Sequence, residues 1–117
     1  MKEGDIVLTS ITQADGKTKL RPALVLREMP GRFNDILLCG ISSQVHLKIE
    51  DFDELIVAAD PHFQETGLLA SSIIRLGFIA DIPRDSIPGS IGRISEEMHR
   101  ILLKRLCDYL VRSKVQS

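Results

Sequence analysis

Residues 20–27 read LRPALVLR, an apolar run that predicts a buried β-strand. Because proline disfavours helical backbone angles at the residue before it, Arg21 is predicted to be extended. Side chains alternate along a strand, which places Arg21 on the same face as Ala23 and Val25. These small neighbours leave room around the guanidinium. Arg21 is therefore either a member of a structural ion pair or a binding group for an oxyanion such as phosphate.

Four further segments around this strand predict a mainly β fold. Short apolar runs at residues 6–8, 35–43, 55–59 and 73–80 are separated by turn signals rich in Gly, Pro and Asp. Strands at this spacing are typical of a small barrel or sandwich rather than of a parallel βαβ sheet. We therefore expect a small β-barrel of about five strands.

The end of the chain predicts one amphipathic helix. Ser95 is a typical N-cap, and Glu96 and Glu97 follow it in the first turn, where carboxylates suit the positive end of a helix. Apolar side chains then recur at helical spacing over about 17 residues, and we expect them to cover one end of the barrel. Before the helix, residues 81–87 are expected to form a short turn or helix, and residues 89–92, GSIG, a turn.

Length and composition indicate a single domain, residues 1–117. A chain of 117 residues, 44% of them hydrophobic, can bury a core but is too short for separate cofactor and substrate domains. The net charge is −1, so a nucleic-acid partner would need a local basic patch. Cys39 and Cys107 lie far apart in apolar runs, which argues against a disulfide framework or a zinc site.

The sequence also argues against a membrane partner. Its N-terminus, MKEGDIVL, lacks the apolar core of a signal peptide. No apolar run approaches the roughly 20 residues that a spanning helix needs. We therefore expect a cytoplasmic protein.

Candidate polar side chains follow the third predicted strand. Ser42 and Ser43 close an apolar run, and only one of the two hydroxyls can face the same way as Arg21. Serines at the end of a strand are more often turn formers than functional groups. His46 follows four residues after Ser42, and His99 falls on the charged side of the predicted helix, where we expect it to be solvated.

Five segments, taken in order along the chain, carry a resemblance to a known family. They are GDIVL at 4–8, KLRPALVL at 19–26, ISSQ at 41–44, TGLL at 66–69 with SIIRL at 72–76, and IGRIS at 91–95. Together they resemble the PemK/MazF-like family of type II toxin–antitoxin ribonucleases, in the family's order and at its spacing. The resemblance covers nearly the whole chain.

The resemblance implies an SH3-like barrel with a C-terminal helix, assembled as a homodimer. It also implies an endoribonuclease that cleaves single-stranded RNA through attack of a 2′-hydroxyl, with no metal and no other cofactor. Arg21 and Ser42 match the catalytic positions, and Arg75 matches a second basic residue that some members use. Gly77 stands where some members carry an acid that assists proton transfer. His46 is therefore either the missing base or a surface histidine, and Ser43 is a further candidate contact to RNA.

A basic cluster next to Arg21 extends the predicted RNA site. Residues 11–19, ITQADGKTK, are mostly polar and predict a loop that is mobile in the free protein. Lys17 and Lys19 in this loop, together with Arg27, are predicted to bind RNA phosphates beside Arg21. The same charges would attract an acidic tail of the cognate antitoxin, so we expect antitoxin and RNA to compete.

Two other functions are compatible with the same fold. A non-enzymatic toxin would bind a protein target such as gyrase through its C-terminal helix and would not need Arg21. An inactive relative would only bind an antitoxin. RNA cleavage separates both from the ribonuclease.

Overall fold

The computed structural model describes residues 1–12 and 15–113, which form a curled antiparallel sheet of six strands and one α-helix. The strands are β1 (Asp5–Thr12), β2 (Thr18–Glu28), β3 (Asp35–Ser42), β4 (Glu54–Ile56), β5 (Ser72–Pro83) and β6 (Gly89–Arg93), and the helix α1 spans Glu96–Leu110. Their order across the sheet is β4-β5-β3-β2-β1-β6, so β4 and β6 are its edges. The prediction of a small, mainly β fold with a C-terminal helix is confirmed.

The sixth strand is β6, which the sequence predicted as a turn. It pairs with β1 from Asp5–Arg93 to Leu8–Gly89. Two glycines and the preceding Pro88 make this segment look like a turn. Pairing with β1, more than 80 positions earlier in the chain, overrides that local signal.

Two other boundaries also differ from the expectation. Residues 11–19 are not a loop throughout, because Ile11 pairs with Lys19 and Thr12 with Thr18 in a long β1–β2 hairpin. Residues 13 and 14, in the middle of the loop predicted to be mobile, lie outside the described residues. The expected turn or helix at 81–87 divides between the end of β5 and a short 3-10 turn at Arg84–Ser86.

The sheet has a helix face and an open face, and strand alternation gives each its own core. On the helix face, apolar side chains of the strands pack against Leu102 and Leu106 of α1 and against Ile94, which precedes the helix; they are Ile6, Leu24, Leu26, Cys39, Ile41, Ile74 and Leu76. The open face carries a smaller core of Val7, Ala23, Val25, Ile36, Leu38 and Ile87. Arg21, two residues before Ala23 on β2, therefore belongs to the open face.

The helix begins as the sequence predicts. Ser95 is the N-cap, and its Oγ accepts a hydrogen bond of 3.0 Å from the backbone N–H of Met98. The expectation that His99 is solvated was wrong. His99 is half-buried with Nε2 2.8 Å from the carbonyl oxygen of Leu26, because α1 packs on the helix face of the sheet and brings this side chain to β2. Within the described residues, no helix is both long and apolar enough to cross a membrane.

The described strands have three irregularities in their pairing, and the two next to β3 change which way side chains point near Arg21 and Arg75. In β2, Val25 pairs with Leu38 while Arg27 pairs with Leu37, so the residue between them on β2 is extra. In β5 the irregularity is larger: Cys39 pairs with Ile79, but the next residue of β3, Gly40, pairs with Arg75. Residues 76–78 are therefore extra, and we call them the β5 bulge.

Candidate active site

Arg21 lies on the open face, where β2 extends beyond the last β2–β3 pair. Its cross-strand neighbour on β1 is Thr9, and its side chain is exposed. Arg21 makes no hydrogen bond or ion pair with any of the described residues. The sequence left a structural ion pair and an oxyanion-binding role open for Arg21, and the described residues do not form the ion pair. Within residues 1–12 and 15–113, the guanidinium therefore keeps its donors for a ligand.

Ser42 is the last residue of β3 and is half-buried. The β2–β3 ladder ends at the Ala23–Gly40 pair, and the same register continued by two residues brings Arg21 opposite Ser42. Opposite Cα atoms in an antiparallel pair are about 5 Å apart. Ser42 therefore faces the same way as Arg21.

The Ser42 hydroxyl is oriented by the turn that follows β3. Its Oγ accepts a hydrogen bond of 3.1 Å from the backbone N–H of Gln44. That bond occupies a lone pair and leaves the hydroxyl proton free to be donated to a ligand oxygen. Ser43 is exposed and comes after the end of the strand.

Arg75 is the second guanidinium on the open face. It lies on β5 opposite Gly40, in the same row across the sheet as Ala23. Its side chain is half-buried, and its guanidinium carbon is 5.2 Å from the ring centroid of Phe78. With neighbouring strands about 4.8 Å apart, the rows of β2 and β5 on either side of β3 are separated by about 10 Å. Arg21 and Arg75 therefore flank the end of β3.

One of the two predicted lysines on the hairpin joins this group. Lys19 is exposed and, two residues before Arg21 on β2, faces the same way. Lys17 precedes the strand; its backbone N–H donates to Oδ1 of Asp15 at 2.9 Å, and its side chain is exposed. We call Lys19, Arg21, Ser42 and Arg75 the basic site.

Arg27 is not brought to the basic site. The bulge in β2 places it beside Leu37, a side chain that packs against the helix-face core. There Arg27 forms an ion pair of 3.3 Å with Glu3 and lines a cavity of about 480 Å³ against α1. The predicted contact of Arg27 with RNA therefore receives no support from its position.

His46 lies in the 3-10 turn Val45–Leu47 and is exposed. It makes no hydrogen bond or ion pair within residues 1–12 and 15–113. Its role as a base or as a surface histidine stays open at this point.

Three residues that organise the basic site were missed by the sequence reading. They are Gly40, Asp53 and Phe78. Phe78 belongs to the β5 bulge, and its ring lies over Gly40: a Cβ built on that glycine would be 2.7 Å from the ring. The available signal was Gly77, because a glycine inside a strand pattern often marks a bulge.

The chemistry of the basic site is that of an anion-binding surface. Three cationic side chains face one way with a hydroxyl, and in the described part of the chain no carboxylate pairs with any of them.

Burial, together with the charge of Asp53, raises the pKa of the nearby Cys39 thiol to about 12. Cys39 therefore stays protonated and is not a nucleophile.

Comparison with known sequences gives this arrangement a family. A sequence model of the PemK-like, MazF-like toxins of type II toxin–antitoxin systems matches residues 2–110. The chain belongs to the PemK/MazF toxin family. No functionally curated protein matched the chain.

Solved MazF structures share the fold. One is a MazE–MazF crystal structure from Deinococcus radiodurans, with a TM-score of 0.66, 19% sequence identity and 97% of each chain covered. Another is the toxin MazF-mt6 from Mycobacterium tuberculosis, with a TM-score of 0.64 and 17% identity over 93% of this chain and 98% of that one. At these identities the likeness is one of fold, and the PemK/MazF assignment rests on the family match.

Proposed function

We propose that this PemK/MazF family member is a metal-independent endoribonuclease toxin that cleaves single-stranded RNA. The observation that carries the proposal is the Arg21 guanidinium, which is unpaired among the described residues and faces the same way as Ser42 and Arg75. Three cations in an exposed strip, counting Lys19, suit a polyanion that lies extended across the sheet.

The proposed reaction is an internal transfer at phosphorus. The 2′-oxygen forms a bond to phosphorus and loses its proton to a base, while the bond from phosphorus to the 5′-oxygen breaks and that oxygen takes up a proton. One fragment ends in a 2′,3′-cyclic phosphate and the other begins with a 5′-hydroxyl. Negative charge develops on the non-bridging oxygens of the phosphate in the transition state.

Arg21 stabilises that charge. Its guanidinium is always protonated and presents a planar fork of donors that matches two phosphate oxygens. One fixed donor of this kind contributes about 10²–10³ in rate. Ser42 orients the scissile phosphate, because its hydroxyl proton is free while its oxygen is held by the N–H of Gln44.

The base that accepts the 2′-hydroxyl proton is a separate question. Gly77 supplies no side chain at the position where some family members carry an acid. His46 is the nearest imidazole to Ser42 in the sequence. If it is the base, His46→Gln lowers the single-turnover cleavage rate by about 10²–10⁴-fold; if it is a surface histidine, the rate is unchanged.

We further propose a homodimer and a cognate antitoxin as partners of this cytoplasmic toxin. A single small sheet offers a short RNA surface, and a second copy would lengthen it. The antitoxin proposal is supported by the family and by the Deinococcus radiodurans structure, in which MazF is in complex with MazE.

Incubation of the purified protein with a long single-stranded RNA in EDTA tests the function. We expect discrete fragments with 5′-hydroxyl ends, and no cleavage of single-stranded DNA of the same sequence, which lacks the attacking 2′-hydroxyl. Cleavage only after a divalent ion is added would contradict the metal-independent reaction. Intact RNA together with inhibition of gyrase would favour the non-enzymatic toxin instead.

A further inference from the structure

Phe78 is an aromatic side chain held out at the surface of the open face. The residue is 48% exposed although it belongs to a strand of the central sheet. The ring lies over Gly40, the one residue type that leaves room for it, since a Cβ there would come within 2.7 Å of Cδ1 of the ring. Gly40 is two residues before Ser42 on β3, so the ring lies about 7 Å along the strand from the serine.

The backbone of the β5 bulge is held in place by buried groups. The first bulge residue, Leu76, is fully buried in the helix-face core, and its N–H donates to Oδ1 of the buried Asp53 at 3.2 Å. The other carboxylate oxygen of Asp53 accepts a 2.9 Å hydrogen bond from the N–H of Ile49. Leu76 and Asp53 thus anchor the segment that presents the Phe78 ring, and a preorganised group loses less entropy when it binds a ligand.

The surroundings of the ring are cationic. The guanidinium carbon of Arg75 is 5.2 Å from the ring centroid, and Arg21 lies beyond β3 on the same face. A protein partner that covered Phe78 would have to supply carboxylates for both charges, as an acidic antitoxin tail would, but it has no nucleobase to stack on the ring. A single-stranded nucleic acid supplies a phosphate for each cation and a base for the ring.

We infer that Phe78 is the stacking platform for one nucleobase of the bound single-stranded RNA, at the nucleotide next to the phosphate held by Arg21 and Ser42. This inference rests on the proposed function. Phe78 contributes affinity without reading sequence, because every base has a π face. Arg75 makes a cation–π contact with the ring of Phe78 and also contacts the phosphate of the stacked nucleotide.

The chain offers a matched control for this aromatic–arginine pair. Phe33 is 72% exposed, and the guanidinium carbon of Arg32 is 5.3 Å from its ring centroid. That pair lies in the β2–β3 turn, at the opposite end of β3 from Ser42. Phe33 therefore repeats the local chemistry of Phe78 away from the basic site.

The first measurement is binding of a short 2′-O-methyl oligoribonucleotide, which has no free 2′-hydroxyl and cannot be cleaved by the proposed reaction. Fluorescence anisotropy with a labelled oligonucleotide should show a tenfold to hundredfold weaker affinity for Phe78→Leu, on the order of one stacked base. Phe33→Leu should bind like the wild type. Equal affinities of Phe78→Leu and the wild type would overturn the inference while leaving the ribonuclease proposal intact.

The second measurement reports stacking directly. The chain contains no tryptophan, so Phe78→Trp and Phe33→Trp each introduce a single fluorophore. We expect the oligonucleotide to quench the emission of Phe78→Trp and not that of Phe33→Trp. Unchanged emission at saturation, or a shift of Phe78→Leu from dimer to monomer in sedimentation, would overturn the inference and assign the ring to a protein contact. If the wild type neither binds nor cleaves RNA, the proposed function fails as well.

Discussion

The buried carboxylate of Asp53 accepts a hydrogen bond of 3.2 Å from the backbone N–H of Leu76 and so replaces the strand partner that this residue of the β5 bulge lacks. A second bond, from the N–H of Ile49, ties the same carboxylate to the preceding loop. Asp53, which directly precedes the edge strand β4, thereby has a structural role in the sheet. Its charge is directed at backbone donors rather than at a ligand.

Replacing Asp53 should therefore destabilise the fold in a graded way. Asp53→Ala leaves two N–H groups without an acceptor and should lower the free energy of unfolding by about 2–5 kcal/mol; Asp53→Asn keeps one acceptor and should cost about 1–3 kcal/mol. Urea unfolding measures both. The control is Glu50→Ala, whose exposed ion pair with Lys48 is worth less than about 1 kcal/mol. Equal stabilities of Asp53→Ala and Glu50→Ala would contradict this role.

Gly92 is predicted to be indispensable where β6 packs against the 3-10 turn Phe63–Thr66. A Cβ on Gly92 would overlap the backbone carbonyl of Thr66, and Gly92 itself is held in place by its pairing with Ile6 on β1. We expect Gly92→Ala to cost at least about 2 kcal/mol. Gly89, in the same strand, has open space around its Cβ position, so Gly89→Ala should stay within about 0.5 kcal/mol of the wild type. Thermal unfolding of the two variants gives the comparison, and similar losses would refute it.

The negative charge of Asp81 should destabilise the folded protein at neutral pH. Partial desolvation, a side-chain hydrogen bond with Asp35 and the negative charge of Asp35 raise the pKa of Asp81 above its usual value. A raised folded-state pKa contributes stability that is fully present at acidic pH and is lost as the pH rises through that pKa. Asp81→Asn should therefore raise Tm at neutral pH and have a smaller effect near about pH 4. Asp85→Asn, four residues beyond Asp81, serves as the control. A gain in Tm for Asp81→Asn that did not change with pH would contradict repulsion between Asp81 and Asp35.

Much of the basic site follows from the sequence, because strand alternation and the pre-proline position are local. They predicted that Arg21, Ala23 and Val25 share a face; Ala23 and Val25 do lie together in the open-face core, and Arg21 continues β2 two residues earlier. They could not predict that Arg27 leaves that face, since the extra residue of β2 is visible only against its partner strand β3. Local periodicity carries no information about how many residues face one another across two strands.

The exposed Phe78 escaped the sequence reading for the same physical reason. Residues 73–80 read as one apolar strand, and the bulge within it is stabilised by the distant Asp53, which accepts a hydrogen bond from the N–H of Leu76. The strand β6 was missed because its glycines favour turns locally, while its pairing partner β1 lies at the other end of the chain. Long-range backbone pairing decides both features.

The two serines should differ sharply in function. Ser42 ends β3 facing Arg21, whereas Ser43 is exposed beyond the strand. Ser42→Ala should lower the RNA cleavage rate by about tenfold to a thousandfold, and Ser43→Ala should have a much smaller effect. Single-turnover cleavage of one RNA by both variants gives the ratio. Equal losses would show that the orientation of the two hydroxyls does not matter.

The role of Arg21 in metal-independent RNA cleavage is tested most directly by the single-turnover cleavage rate of Arg21→Ala on single-stranded RNA in EDTA. Arg100→Ala is the matched control. Arg100 is an exposed arginine of α1, on the other side of the sheet, and has no ion pair among the described residues. Arg21→Ala should lose at least about 10²-fold in rate with an unchanged unfolding curve, while Arg100→Ala should cleave like the wild type. An Arg21→Ala protein that is folded and cleaves at the wild-type rate would contradict this role of Arg21.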